Sequence, residues 1–97
     1  MNDFVGNVKV ENLNELVPRF SSQQSFYGKA LVGYAGRLKV LYSYLTPVAY
    51  VEDGKQVVTN DNSLLSNATM KHIHEFLKQF GKDLPKQQLI KHYGGLI

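Results

Sequence analysis

The stretch LKVLYSYLTPVAYVEDGKQVVTNDNSLLSNATMKHIHEFLKQFG, from Leu38 to Gly81, carries the plainest fold information in the chain. Leu38, Val40, Tyr42 and Tyr44 alternate with Lys39, Leu41 and Ser43, the period of two that sends side chains to opposite faces of a strand. Thr46-Pro47 is expected to interrupt that strand, since proline offers no backbone donor, and Val48 to Val51 to form another. Asp53-Gly54 is a two-residue hairpin signal leading into a strand over Lys55 to Thr59. After a polar connection from Asn60 to Ser63, Ser66 or Asn67 is placed to cap a helix by accepting from an orphaned backbone amide. Met70, Ile73, Phe76, Leu77 and Phe80 then fall on one stripe, with Lys71, His74, Glu75 and Lys78 largely outside it, and Gly81 ends the helix.

Working outward, Ala30, Val32 and Tyr34 alternate with Lys29, Leu31 and Gly33 over the length of a strand, and Ala35-Gly36 turns the chain. Ser21 to Ser25 reads as a loop. Nearer the N-terminus, Val8 to Glu11 has the alternation of a short strand. Asn12 is placed to cap a short helical segment carrying Leu13, Leu16 and Val17, limited by Pro18. On the other side Pro85 opens a last short helix through Lys91, closed by Gly94-Gly95 and anchored by Leu89, Ile90 and Tyr93.

A sheet with one more apolar face and a helix with one apolar stripe bury each other when the helix lies across the sheet. The expectation is a single α+β domain over residues 1–97: an antiparallel sheet of three to four strands, one main amphipathic helix on one face and a short C-terminal helix. Ile73, Phe76 and Phe80 are then core residues, and Tyr42 and Tyr44, sharing a face with Leu38 and Val40, pack under the helix with hydroxyls at the rim.

At 97 residues, 43% of them hydrophobic, with five Phe and six Tyr, the chain has the bulk for one core and no room for two. The absence of cysteine excludes a disulfide framework and thiolate metal sites, and fits a reducing cytoplasm. Met1-Asn2-Asp3-Phe4 lacks a basic region followed by an apolar run, and no stretch reaches the roughly 18 residues needed to cross a bilayer, so no membrane association is expected.

No motif for chemistry emerges. His72 and His74, two residues apart on a helix, point about 200° from each other and cannot share an ion; one of them could still join His92 or Glu75 across the fold, but with no thiolate and no ligand spacing no metal is assigned. Ser25-Phe26-Tyr27-Gly28-Lys29-Ala30 holds one glycine, which is not a phosphate loop; Phe26 is expected to close the core and Gly28 to permit a bend. Tyr34, Tyr42, Tyr44 and Tyr50, interleaved with Lys29, Arg37 and Lys39, look superficially like a base-stacking platform, but register places Tyr42 and Tyr44 in the core. Glu52 and Asp53 sit at a hairpin where solvent screens them. With no nucleophile beside a base and an orienting acid, neither catalytic residues nor a cofactor are assigned, and the expectation is a protein that is not an enzyme.

Charge is the remaining signal. The net +3 is modest, but Lys71, Lys78, Lys82, Lys86 and Lys91 cluster in the C-terminal third against Glu75 and Asp83, and these five lysines are the candidate binding residues.

Ser25 to Ala30, Ser43-Tyr44-Leu45-Thr46 with Val48 and Ala49, and Thr69 to Leu77 together resemble a group of small bacteriophage and mobile-element proteins. The group's pattern is Ser-Phe-Tyr-x-Lys-Ala, a Ser-Tyr-x-Thr hairpin, and a helix opening Thr-x-Arg-His-Ile-x-Glu-Phe-Leu. Lys71 stands here in place of that Arg, and Asn60 to Leu65 lacks an aromatic before the helix. The resemblance implies a phage-type origin and no particular reaction. Two partners follow as expectations, the first preferred over the second because Glu75 sits among the lysines. One is a host or defence protein, as for an anti-CRISPR inhibitor of a CRISPR-type nuclease; a basic chain cannot do this by mimicking DNA. The other is nucleic acid, in phage DNA handling or regulation. Lysines tracking one groove beside aromatics would favour nucleic acid, and lysines mixed with apolar residues would favour protein. A free sheet edge would also allow a homodimer.

Overall fold

The computed structural model describes residues 4–5 and 8–97. Residues 1–3, read above for a leader, lie outside the described residues. Two short strands, β1 (Phe4–Val5) and β2 (Val8–Lys9), pair with each other. They precede β3 (Glu11–Glu15), β4 (Ala30–Ala35), β5 (Leu38–Ser43), β6 (Thr46–Glu52) and β7 (Lys55–Thr59). A single 3₁₀ turn (Asn62–Leu64), helices α1 (Asn67–Phe80) and α2 (Lys86–Tyr93) and a two-residue strand β8 (Gly94–Gly95) complete the chain.

The architecture is α+β, with a six-stranded sheet in the order β3-β4-β5-β6-β7-β8. Every pairing is antiparallel except β7 with β8. The sheet is thus larger than the three to four strands expected, for two local reasons. Residues 11–15 are a strand instead of the helical segment expected after Asn12, which takes φ 56° at a break in register between Glu11 and Asn14. Such a bulge erases the alternation that would reveal a strand. Gly94 and Gly95, expected only to close the last helix, also pair with Val58 and Thr59, and α2 runs on to Tyr93.

The hairpin turns set the register. Gly36 (φ 61°) and Arg37 join Ala35 to Leu38, and Asp53 (φ 38°) and Gly54 (φ 83°) join Glu52 to Lys55. The β5–β6 turn is made by Tyr44 (φ 50°) and Leu45 (φ 66°), not by Thr46-Pro47, which lies inside β6. There Pro47 stands opposite Tyr42 beside a second register shift, a setting that tolerates a missing donor.

α1 covers one face of this sheet. Ser66 caps it, its hydroxyl accepting from Thr69 N–H at 3.2 Å. Met70, Ile73, Phe76 and Leu77 pack on Val32, Leu41, Ala49, Val51 and Val58, with Leu89 of α2 buried in the same core. Each such side chain contributes roughly 1.5–3 kcal/mol on burial. The helix lies over Lys39, Leu41 and Ser43, so Tyr42 is buried on the opposite face with Val10, Ala35 and Val40 instead of under the helix. Both faces of β5 are apolar enough to be covered, and Ser43 supplies the hydroxyl that α1 needs at Thr69 and His72. Tyr44 sits in the turn, half exposed. Phe80, expected in the core, ends the helix at 36% exposure. Among the described residues no helix is long and apolar enough to cross a membrane.

Candidate functional site

The five lysines do not form one site. Lys71 and Lys78 share a face of α1 with His74 and line a cleft of about 510 Å³ with Phe20, Leu84 and Pro85. There Asp83 takes up part of the charge, 2.6 Å from His74 Nδ1 and 3.9 Å from Lys78 Nζ. Lys86 reaches the Leu65 carbonyl at 3.4 Å, and Lys91 stands exposed on α2. Lys82 belongs to a different group.

That group is a cleft of about 470 Å³ in which Lys82 meets Arg37, Lys39 and Lys55 around Phe80. Four elements deliver these side chains. The Gly36-Arg37 and Asp53-Gly54 turns lie at the same end of the sheet, bringing Arg37 and Lys55 together; Lys39 projects from β5 on the helix-bearing face, and α1 ends above it. Lys82 is held by Gln56, whose amide donates to Lys82 O at 2.7 Å and accepts from Lys82 N–H at 2.8 Å. Gly81 is required by contact, not by backbone angle: a Cβ there would lie 2.7 Å from Gln56 Oε1 and 3.1 Å from Leu77 and Val51 carbons.

Glu52 and Asp53 are the acidic members of the cleft. Asp53 is engaged by Arg37 at 3.1 Å, an exposed pair that adds little stability and offsets part of the cleft's positive charge. Lys39 Nζ lies 4.8 Å from the Phe80 ring centroid, a cation–π contact. Arg37, Lys39 and Lys55 are absent from the lysine cluster read in the sequence. Arg37 and Lys39 were visible only as charges between tyrosines, and Lys55 only as the residue after a turn.

Phe80 also lines a smaller cleft of about 180 Å³ with Arg19, Tyr34 and Gln79. Tyr34 pairs with Lys39 across β4 and β5, so the two share the helix-bearing face. Of the four tyrosines that resemble a platform, Tyr42 is buried on the far face, Tyr50 packs beside it, and Tyr44 is in a turn. Tyr34 alone stands with Phe80.

Residues 14–92 match the model of a family of unknown function, DUF8033. The chain belongs to that family. No curated protein and no solved structure matches it. The matched span runs from within β3 to within α2 and takes in all the residues of both clefts at Phe80.

Elsewhere in this DUF8033 member, α1 carries three buried polar groups, Thr69, His72 and Glu75. Glu75 is 2% exposed. Burial alone would raise its pKa, but hydrogen bonds from Gln79 and from the backbone N–H groups of Phe20, Arg19 and Ser21 outweigh this and hold the carboxyl below its ordinary range. Gln79 extends the clamp by donating to Val17 O at 2.8 Å. Glu75 thus fastens the loop before β4 onto the helix.

His72 is 4% exposed, with its Nδ1 2.8 Å from Ser43 Oγ, which is in turn 2.9 Å from Thr69 Oγ1. Phe26 packs edge-on to the imidazole with centroids 4.7 Å apart, consistent with its expected place in the core. Burial, and secondarily the charge of Lys29, lower the His72 pKa. A serine beside a neutral imidazole invites a nucleophile reading, but Ser43 is 2% exposed and leaves no approach for a substrate. In this chain the cluster joins helix to sheet. Among the described residues no group of three His, Cys, Asp or Glu could hold a metal ion.

Proposed function

We propose that this DUF8033 chain is a non-enzymatic nucleic-acid-binding protein, an accessory in phage-type DNA handling or regulation in the bacterial cytoplasm, working through the cleft at Phe80. The observation that carries the reading is one cleft in which Arg37, Lys39, Lys55 and Lys82 outnumber Glu52 and Asp53 beside the exposed Phe80 ring, with Lys39 over that ring. Cations gathered in a concave surface concentrate positive potential and engage successive phosphates by releasing counterions. An aromatic in the same groove offers a surface for a base.

Fluorescence-anisotropy titration with labelled DNA and RNA across a salt series tests it. Binding is expected at roughly micromolar strength, with a log–log salt slope near −3 for a single strand, about −0.7 for each of four contacts. No binding at low salt would overturn the proposal.

A second reading keeps a host or defence protein, such as a CRISPR-type nuclease, as the partner. Lys71 and Lys78 beside Phe20, which is 61% exposed, and Leu84 favour it, being the mixed basic and apolar surface that suits an acidic protein patch. Pull-down from host lysate with a Lys71→Glu, Lys78→Glu variant as control tests that surface separately.

A further inference from the structure

The two clefts that meet at Phe80 differ in a way that says which form of nucleic acid fits. The larger supplies the excess of positive charge, with Arg37, Lys39, Lys55 and Lys82 against Glu52 and Asp53. The smaller supplies Tyr34, which is 40% exposed, with Arg19 and Glu15 as charges of opposite sign. Phe80 belongs to both, 36% exposed, with the Lys39 ammonium over its ring. Phe76 supports the ring from within the core, with centroids 5.5 Å apart. The ring is thus braced by the fold while part of it still meets solvent.

We infer that the two clefts form one path for a single strand, in which Phe80 and Tyr34 stack on unpaired bases and the flanking cations take the phosphates. The inference rests on the proposed function and narrows it. In a duplex the base faces are covered by their neighbours, so aromatic rings recessed in clefts can reach them only when the strand is unpaired. The phosphates of a duplex can still meet the outer cations, which predicts weaker, purely electrostatic duplex binding. The recognition is of backbone and π-face, so it carries little sequence preference.

The experiment compares a labelled oligo-dT with a hairpin duplex of equal phosphate number, by anisotropy at several salt concentrations, for the full chain and for Phe80→Leu and Tyr34→Leu. The intact protein is expected to favour the single strand. Each variant is expected to lose roughly five- to 150-fold in single-strand affinity, the range for removing one stacking aromatic. Their salt slopes and duplex affinity stay unchanged. Leucine keeps the apolar contact of Phe80 with Phe76, and Tyr34→Leu changes an exposed side chain, so a folded Tyr34→Leu protein tests stacking even if Phe80→Leu is unstable. Equal affinity for both probes, or variants that bind oligo-dT like the intact protein, would overturn the inference and leave nucleic-acid binding standing. Failure to bind either probe would overturn both.

Discussion

Glu75 on α1 accepts the backbone N–H of Phe20, fifty-five positions earlier in the chain, at 3.0 Å to one carboxylate oxygen and 3.3 Å to the other. The loop before β4 is therefore held by a buried charge, and losing that charge leaves donors without a partner. Glu75→Ala is expected to cost about 1.5–3 kcal/mol, the range for a hydrogen bond to a charged group. Glu75→Gln, which keeps an acceptor oxygen, is expected to cost less. Urea denaturation gives the order of the three proteins; equal midpoints would show that the clamp contributes nothing to stability.

Acid should weaken the fold in two stages. The His72 pKa lies below its ordinary 6.5, so the unfolded chain takes up that proton first and stability declines as pH falls through 6.5 toward the lowered value. The Glu75 pKa lies below its ordinary 4.5, so its contribution is present above 4.5 and is lost as pH falls through that value and the lowered one. Thermal midpoints from pH 8 to pH 3 are expected to be flat above 7 and to fall in these two steps. His72→Gln should remove the upper step; an unchanged profile would assign it to another group.

Gly81→Ala is expected to destabilise by roughly 1–3 kcal/mol, the usual cost of forcing a methyl into packed space. The atom it would strike, Gln56 Oε1, is not free to swing away, since the same side chain bonds both Lys82 N–H and Lys82 O. The substitution should therefore also weaken nucleic-acid binding by displacing Lys82. Melting and anisotropy on the same sample check both effects, and a stable Gly81→Ala protein would mean that Gln56 can rearrange.

Single removals of charge should sort the lysines. Lys55→Ala and Lys82→Ala are each expected to reduce the magnitude of the single-strand salt slope by about 0.7, while Lys91→Ala, whose side chain lines neither cleft at Phe80, leaves it unchanged. A slope that responds to Lys91 and not to Lys55 would place the strand on α2.

How much of this was legible follows from how local each signal is. The Asp53-Gly54 turn and the helix from its Ser66 cap to Gly81 depend on adjacent residues and a single period, and both stand where the sequence puts them. β3 was hidden because Asn12 at φ 56° breaks its alternation. The face of β5 that meets the helix was misread because both faces are apolar and the deciding partners, Thr69 and His72 against Ser43, lie more than twenty positions away. The basic cleft was illegible for the same reason: Arg37, Lys55 and Lys82 are strangers in the sequence, made neighbours by two turns and a helix end.

The two outer strands of the six-stranded sheet have a bearing on how copies of the chain behave toward each other. A regular exposed edge is a template on which another strand can polymerise. At one margin β3 is kinked at Asn12 and carries Glu11 and Glu15, so a second copy would meet a bent ladder and repelling charge. At the other, β7 is shielded by Gly94 and Gly95, and the added strip is only two residues long. Six strands side by side thus end in a bulged margin and a two-residue margin, neither of which offers a neighbouring copy a long regular ladder.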